Sequence, residues 1–250
     1  MQTEIKTNET ATTSLIGRLF AAGSHFGFTK SRRHPTVAPY IFGNKQGTDI
    51  IDLEKTSELL ETAKSIVREA GKAGKVVLFV STKEEIAPIV KQFALDAEMP
   101  YVVNRWIGGM LTNWSEIKKR IARLQDLVAQ GESGELERKY TKKERVVIGR
   151  ELEKLHFNFG GIKAMPGVPH LMIVVDPRHD AIAVSEAQDM RVPIIGITSS
   201  DANLREITYP IVANDSLQSS VTLILSELVQ EYAAGKSEFV PQKREEVRRR

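Results

Sequence analysis

The sequence of 250 residues contains no cysteine, which excludes a disulfide scaffold, a thiolate zinc site, an iron–sulfur cluster and a cysteine nucleophile. It has no apolar run near the ~18–20 residues of a membrane span. The polar N-terminus lacks the apolar core of a signal peptide. These absences predict a soluble, cytoplasmic protein. Hydrophobic residues form 41% of the chain, which allows a sizeable core and excludes wholesale disorder.

The sequence also lacks the glycine-rich loops GxGxxG and GxxxxGK[ST] that hold nucleotide phosphates. It shows no catalytic triad and no paired-carboxylate motif. The DPRHD segment at residues 176–180 could suggest a metal site, but we interpret it as a helix-capping turn because no matching cluster occurs elsewhere. We therefore expect a binding protein without catalytic residues, cofactor or metal, rather than an enzyme.

Acidic residues are unevenly distributed, although the formal net charge is only +3. Residues 10–48 contain none, and residues 116–155 hold 11 Lys and Arg against 8 Asp and Glu. Residues 156–235 are acidic, with 9 Asp and Glu against 4 Lys and Arg. Such asymmetry indicates a polyanionic partner. The simpler alternative is a set of solvated faces, which explains the acid-free stretch poorly.

Five short Val- and Ile-rich runs are predicted to be buried strands, at residues 76–80, 99–103, 171–175, 192–198 and 209–215. Helical patterns lie between them, at about 54–72, after a Thr82–Glu85 capping box, at about 180–190, and to about 234 behind a cap by Asp215 and Gln218. This alternation predicts an α/β fold with a flavodoxin- or Rossmann-like parallel five-stranded sheet. We expect Ser81 and Thr82 to be helix caps.

The alternation breaks between residues 104 and 168, which is too long for an ordinary loop. Two apolar sets with 4-3-4 spacing lie there: Ile117, Ile121, Leu124 and Val128, then Ile148, Leu152, Leu155 and Phe159. A GESG turn separates them, and Thr141 with Glu144 forms a capping box. The pattern predicts an antiparallel coiled-coil hairpin that projects about 27–30 Å. Glycine pairs at 108–109 and 160–161 allow sharp turns at its ends.

These patterns divide the chain into one discontinuous α/β domain with an insertion. The predicted domain comprises residues 15–115 and 156–235, and the coiled-coil hairpin comprises residues 116–155. Residues 1–14 are expected to be a flexible tail, and residues 236–250 a flexible basic tail that contains Pro241 and no apolar periodicity.

Two polar segments interleave aromatic and basic residues, GSHFGFTKSRRH at 23–34 and NRWIGGMLTNW at 104–114. Arg and Lys neutralise phosphates, and aromatic rings stack on unpaired RNA bases. Alternatively, Phe26 and Phe28 belong to the core, and Trp106 and Trp114 are packing residues. The candidate RNA-binding residues are His25, Lys30, Arg32, Arg33, Asn104, Arg105, Thr112, Asn113 and Arg178.

Several longer motifs occur in a fixed order: LFAAGSHFG (19–27), PYIFG (39–43), IIDLEKT (50–56), RWIGGMLTNW (105–114), TKKE through RELEKL (141–155), GGIKAMPGVP (160–169), and the stretch from Pro169 to Pro193. Together they resemble the bacterial small-subunit ribosomal protein S-two family over residues 15–235. One departure is Phe28, where the family usually has a second His after GxHFG. Any contact that depends on that His is therefore absent here.

The resemblance implies a flavodoxin-like domain with an inserted hairpin, no catalysis, and a structural role in the small ribosomal subunit. It implies binding to 16S rRNA and neighbouring ribosomal proteins, including support of ribosomal protein S-one, without membrane, DNA or homo-oligomer contacts. We expect the hairpin to be a partner arm through Lys118, Lys119, Arg123, Lys142, Lys143 and Arg145. Two alternatives are an α/β enzyme with a small-molecule site at the strand ends near Ser81, Asp176 and Thr198, and a protein-only scaffold.

Overall fold

The computed structural model describes residues 14–239. Within that range, the chain builds a small antiparallel sheet, a larger parallel sheet covered by helices, and a helical hairpin. No helix in this part of the chain is both long and apolar enough to cross a membrane.

The N-terminal segment, residues 15–51, contains helix α1 (Leu15–Ala21) and strands β1 (Phe26–Thr29), β2 (Ile41–Lys45) and β3 (Thr48–Ile51). The strands pair antiparallel in the order β1-β3-β2. A two-residue turn at Gln46 and Gly47, both with positive φ (52° and 82°), joins β2 to β3. Two positive φ values match the twist of a tight hairpin and favour glycine. This sheet was not predicted from the sequence because its strands are short and only partly apolar.

The larger sheet contains β4 (Val77–Val80), β5 (Tyr101–Val102), β6 (Leu171–Val175), β7 (Ile194–Thr198) and β8 (Tyr209–Val212). All pairs are parallel, in the order β5-β4-β6-β7-β8. Every residue of β4, β6 and β7 is buried, as expected for strands covered on both faces. The predicted fold class is confirmed.

Helices cover both faces of the parallel sheet. Helices α2 (Leu53–Lys72), α3 (Ala87–Asp96) and α8 (Gln218–Ser237) bury Leu60, Val90 and Leu228 against one face. Helix α7 (Ala181–Asp189) and the base of the hairpin pack on the other face. Alternate strand residues feed the two cores, with Phe79 in the first and Leu78 in the second, because successive side chains of a strand point to opposite faces.

The hairpin contains α4 (Trp114–Glu132), the short α5 (Glu135–Lys139) and α6 (Lys142–Phe159). The predicted capping box is present, since Glu144 accepts from Thr141 N at 2.9 Å and Thr141 accepts from Glu144 N at 3.5 Å. The predicted GESG turn is reduced to residues 133–134, because α4 continues to Glu132 and α5 begins at Glu135.

The apolar seam of the hairpin differs from the prediction at one position. Leu127 is buried with 1% exposure, whereas Val128 is 38% exposed. In a helix of 3.6 residues per turn, a step of three from Leu124 reaches the buried face as well as a step of four does. The larger Leu takes the inner position, so the assignment of Val128 to the seam was wrong.

Two predicted helix caps were also wrong. Thr82 lies four residues before Ile86, the N-cap of α3, and its backbone N and Oγ1 donate to Asp180 at 2.9 and 2.6 Å. At the start of α8, the carboxylate of Asp215 accepts from Ser199 N at 3.0 Å, while Asn214 accepts from the following backbone N–H groups. Both side chains serve contacts between strand ends, which the local sequence could not reveal.

The C-terminal helix extends further than predicted. Helix α8 reaches Ser237, and Lys236 pairs with Glu98 at 2.5 Å. Of the predicted basic tail, residues 236 and 237 therefore belong to α8, and residues 238 and 239 follow directly after it. The remainder of that tail, 240–250, and residues 1–13 of the N-terminal tail lie outside the described residues.

Candidate nucleic-acid interface

The N-terminal segment is hydrogen-bonded to residues that follow the parallel strands β7 and β8. Ser200, two residues after β7, accepts from Phe28 N through its side chain and from His34 N through its carbonyl, each at 2.9 Å. Ser24 accepts from Asn214 N at 3.0 Å and from the Ser220 hydroxyl at 2.8 Å. Open α/β sheets commonly bind small molecules at this edge. Here, part of the chain itself is hydrogen-bonded to residues at this edge.

Lys83 links polar side chains that follow β6 and β8. Lys83 Nζ lies 3.2 Å from Asp176 Oδ2 and 2.8 Å from Ser216 Oγ. Burial and the nearby Asp176 carboxylate raise the pKa of Asp215 to about 7.

The DPRHD segment forms a turn in which Asp176 accepts from the backbone N of His179 at 3.1 Å. Asp180 is instead the acceptor for Thr82. Within residues 14–239, no group of three His, Cys, Asp or Glu side chains could hold a metal ion. These groups therefore join the strand ends by internal contacts.

Arg33 forms an internal ion pair with Asp49. Its Nε and Nη2 atoms lie 2.7 and 2.5 Å from the two carboxylate oxygens, and Asn44 donates to the same carboxylate at 3.1 Å. The side chain of Asp49 is 0% exposed. The hydrogen bond to Arg33 lowers the pKa of Asp49 despite its burial, so the carboxylate is ionised. The pair ties β3 to the chain that follows β1.

Lys30 and Arg32 remain outside this ion pair. Both are exposed, and neither forms an ion pair with another described residue. The Arg32 guanidinium lies 4.7 Å from the centroid of the Phe28 ring, a cation–π distance that orients the side chain. We name Lys30 and Arg32 the basic tip of the N-terminal segment.

Phe20, His25 and Phe26 of the N-terminal segment form an aromatic cluster. Phe20 and His25 are stacked, with centroids 4.4 Å apart and planes within 10°, whereas the rings of His25 and Phe26 have centroids 4.0 Å apart and are tilted by 39°. Phe20 is 62% exposed and Phe26 is 48% exposed, so the alternative of a core role for Phe26 was wrong. Burial lowers the pKa of His25, which favours its neutral form. With His25 neutral, the aromatic cluster carries no charge.

The segment 106–112 folds around a single carboxylate, that of Glu186 on α7. Its acceptor distances are 3.1 Å to Trp106 Nε1, 2.8 Å to Gly109 N, 3.0 Å to Leu111 N, 3.2 Å to Thr112 N and 3.1 Å to Thr112 Oγ1. Burial alone would raise the pKa of Glu186, but these hydrogen bonds outweigh it and hold the pKa below its ordinary value. Thr112 therefore has an internal role, and Trp106 is a buried packing residue.

Some of the remaining predicted RNA-binding residues have internal hydrogen-bond partners, and others do not. Arg105 is exposed and has no hydrogen bond or ion pair within residues 14–239. Asn104 Nδ2 donates to Phe157 O at 2.7 Å, and Arg178 pairs with Asp201 at 2.6 Å. Asn113 is exposed at the start of α4 and accepts from Ser115 Oγ at 3.2 Å.

The six hairpin cations also fall into two groups. Lys119, Arg123 and Arg145 pair with Glu116, Glu151 and Glu137 at 2.6, 3.1 and 3.6 Å, respectively. Lys118, Lys142 and Lys143 are exposed and form no ion pair with another described residue.

Sequence reasoning assigned no site role to Glu186, Asp49 or Phe20. A signal existed for Glu186, because it lies among Ala183, Val184 and Ala187 on the apolar side of a predicted helix, where an unpaired charge is costly. Asp49 carried a weaker signal as the acid that ends the acid-free run.

The match to known proteins covers most of the chain. Residues 19–235 match the family model for Ribosomal protein S2. The chain is 40% identical over 221 residues to small ribosomal subunit protein uS2 of Picosynechococcus sp., covering 88% of this chain and 86% of that protein. It is 40% identical to uS2c of Rhodomonas salina, covering 93% and 95%, and 41% identical to uS2 of Mesoplasma florum, covering 87% and 81%.

Proposed function

The chain belongs to the ribosomal protein S2 family, and we propose on this basis that it is a structural, non-catalytic constituent of the small ribosomal subunit in the cytoplasm. Its named relatives are small-subunit ribosomal proteins. The resemblance seen in the sequence motifs is thereby confirmed, as is the expectation of a protein that is not an enzyme.

The proposed RNA partner is 16S rRNA, bound through the basic tip and Arg105. One observation carries this proposal: Lys30 and Arg32 are exposed, unpaired cations on an acid-free segment that hydrogen bonds hold against the strand ends. A fixed loop loses little conformational freedom when it meets a phosphate backbone. The exposed rings of Phe20 and Phe26 in the aromatic cluster are proposed to stack on an unpaired base.

Most of the other residues predicted to contact RNA are proposed to hold the local chain in place instead, through internal contacts. Arg33, Asn104, Thr112 and Arg178 donate to internal partners. His25 is enclosed between two rings. Asn113 remains a candidate contact at the exposed start of α4.

The proposed protein partners are neighbouring small-subunit proteins and ribosomal protein S-one, and the chain is proposed to act as a monomer within the subunit. The unpaired Lys118, Lys142 and Lys143 on a projecting arm support the partner role of the hairpin. We expect Lys142→Glu with Lys143→Glu to reduce the amount of ribosomal protein S-one on reconstituted subunits. Unchanged amounts of S-one and of neighbouring proteins would remove the hairpin from this proposal.

The enzyme alternative has no supporting observation in the structure. The N-terminal segment is hydrogen-bonded to Ser200, two residues after Thr198, and Asp176 is already paired with Lys83.

The test of RNA binding is charge reversal at the basic tip. The variant Lys30→Glu with Arg32→Glu should bind 16S rRNA more weakly, and the slope of log K against log salt should fall by about two, since each lost phosphate contact removes about one unit. Incorporation into subunits that lack the protein should fall in parallel. Lys91→Glu, which reverses an exposed charge on α3, is the control. Equal affinity and slope in the tip variant and the control would contradict the proposal.

A further inference from the structure

We propose that Glu186 is the positioning residue that sets the direction in which the hairpin leaves the α/β domain. Its carboxylate is buried, with 7% of the residue exposed, and it belongs to α7 rather than to the hairpin. The residues that it binds, Trp106 to Thr112, lie directly before Asn113, the N-cap of α4. Glu186 therefore connects the covering helix to the root of the arm.

Glu186 is the hydrogen-bonding link of this connection, and Trp106, Met110 and Leu111 add apolar packing in the same core as α7. Within residues 14–239, every hydrogen bond from segment 106–112 to another element of the main domain ends on the Glu186 carboxylate. The remaining backbone bonds of the segment, such as Met110 N to Ile107 O at 3.1 Å, are local. These local bonds shape the turn, and the carboxylate fixes the turn relative to the sheet.

The negative charge is essential to this arrangement. One oxygen accepts two hydrogen bonds and the other accepts three, all from N–H or O–H donors. A carboxylate can accept on both oxygens, whereas an amide replaces one oxygen with an NH2 donor. In Glu186→Gln, that NH2 group would face at least two donors, and those donors would be left unsatisfied at a buried site.

The returning end of the hairpin is fixed by close packing. A Cβ added at Gly161 would lie 2.2 Å from Tyr101 O, so the chain after α6 passes directly against the edge strand β5. Asn104 Nδ2 also donates to Phe157 O at 2.7 Å, near the end of α6. Because the chain after α6 is fixed against β5, the direction of the hairpin depends on how segment 106–112, before α4, is held.

The length of the arm amplifies any change at its root. Helix α6 has 18 residues, which corresponds to about 27 Å. A rotation of about 10° at the root would therefore move the far end by about 5 Å. Hydrogen bonds at Glu186 can thus control where the outer hairpin cations lie relative to the basic tip.

The test measures the arm directly in the isolated full chain. Because the sequence has no cysteine, two introduced cysteines, Ala129→Cys on the arm and Thr222→Cys on α8, can carry spin labels. We expect Glu186→Gln to broaden or shift the distance distribution between them by on the order of 5 Å, and to move the NMR signal of the Trp106 indole N–H. An unchanged distance distribution in folded protein would overturn the inference.

A matched control separates positioning from general stability. Glu227 on α8 is also a buried carboxylate, and it pairs with Arg18 and Lys64 far along the chain from the hairpin root. Glu227→Gln should lower Tm without changing the label distance or the Trp106 signal. An equal distance change in both variants would contradict a specific role for Glu186. If Glu186→Gln does not fold, Thr112→Val, which removes one hydroxyl donor, should give a smaller change of the same kind.

The inference rests on the proposed function only for its consequence in the ribosome. If wild-type protein enters small subunits, Glu186→Gln should do so several-fold less well than Glu227→Gln, and equal incorporation would contradict a role of arm direction in assembly. If wild-type protein does not enter subunits, the proposed function fails, whereas the label distances still decide the role of Glu186.

Discussion

The N-terminal segment and the hairpin have the same basic character in the sequence but are held to the domain in opposite ways. The N-terminal segment makes hydrogen bonds to residues after β7 and β8 and contains the buried Arg33–Asp49 pair. The hairpin joins the domain at its root, and its ion pairs are exposed. Exposed pairs add little to stability. A basic composition therefore occurs both in a segment that is hydrogen-bonded across two strand ends and in a hairpin that joins the domain at its root.

The largest expected effect distinguishes two adjacent arginines of the N-terminal segment. Arg33→Ala leaves the Asp49 carboxylate buried without its main partner, which is strongly destabilising. We expect Tm to fall by on the order of 10 °C in thermal unfolding. Arg32→Ala removes an exposed cation and should leave Tm within about 2 °C.

A second substitution checks the cause of the Arg33 effect. Replacing Asp49 with Asn in the Arg33→Ala background removes the unpaired charge, so part of the lost Tm should return. Equal Tm losses for Arg32→Ala and Arg33→Ala would show that the two regions are not anchored differently.

An intermediate effect is expected within the hairpin. Leu127→Ala opens a cavity in the buried seam and should cost about 2–4 kcal/mol in urea unfolding. The measured value should lie towards the lower end, because the outer arm can melt without unfolding the sheet. Val128→Ala, at the neighbouring exposed position, should change the free energy by less than about 0.5 kcal/mol. The reverse order would restore the 4-3-4 seam predicted from the sequence.

The smallest expected effect is a pH dependence of the folding stability, caused by Asp215 after β8. The folded pKa of Asp215 is raised from 3.8 to about 7, so the folded protein holds this proton more tightly than the unfolded chain does. The associated stability is present below about pH 4 and is lost as pH rises towards 7. The neighbouring charges are Asp176, Lys83 and Asp201.

We therefore expect the Tm of the wild type to fall by a few degrees between pH 5 and pH 8. The Tm of Asp215→Asn should fall less over the same range. The protection factors of β1 against hydrogen exchange, which are corrected for the intrinsic pH dependence of amide exchange, should fall over the same range in the wild type but not in the variant. In the hairpin, hydrogen bonds lower the pKa values of Glu144 and Glu151 below 4.5, so its protection factors should change only in acid. A wild-type Tm that is constant from pH 5 to pH 8 would contradict this prediction.

The sequence was most informative where local pattern and tertiary environment agree. The strands LMIVV and IIGIT are buried on both faces, and their composition alone predicted this. The Thr141–Glu144 capping box was also predictable, because both partners lie within four residues. Side chains that serve distant partners were not predictable in the same way. Thr82 binds Asp180 across 98 positions, and Glu186 binds Trp106 across 80.

The candidate interface was predictable in composition but not in detail. The acid-free run drew attention to residues 10–48. It could not distinguish Arg33 from Arg32, because the distinction depends on which arginine reaches the buried Asp49. For the same reason, Thr112 was predicted to contact RNA, although its hydroxyl and backbone N–H donate to Glu186.

The hydrogen bonds of the N-terminal segment also determine the order in which the protein can fold during its synthesis. Phe28 must wait for Ser200, 172 residues later, and Ser24 must wait for Ser220, 196 residues later. At ~5–20 residues per second, this delay is roughly 10–40 s. Arg123 and Glu151 are only 28 positions apart, which takes about 1–6 s to synthesise. The hairpin, although encoded later, can therefore form well before the segment that leaves the ribosome first is able to dock.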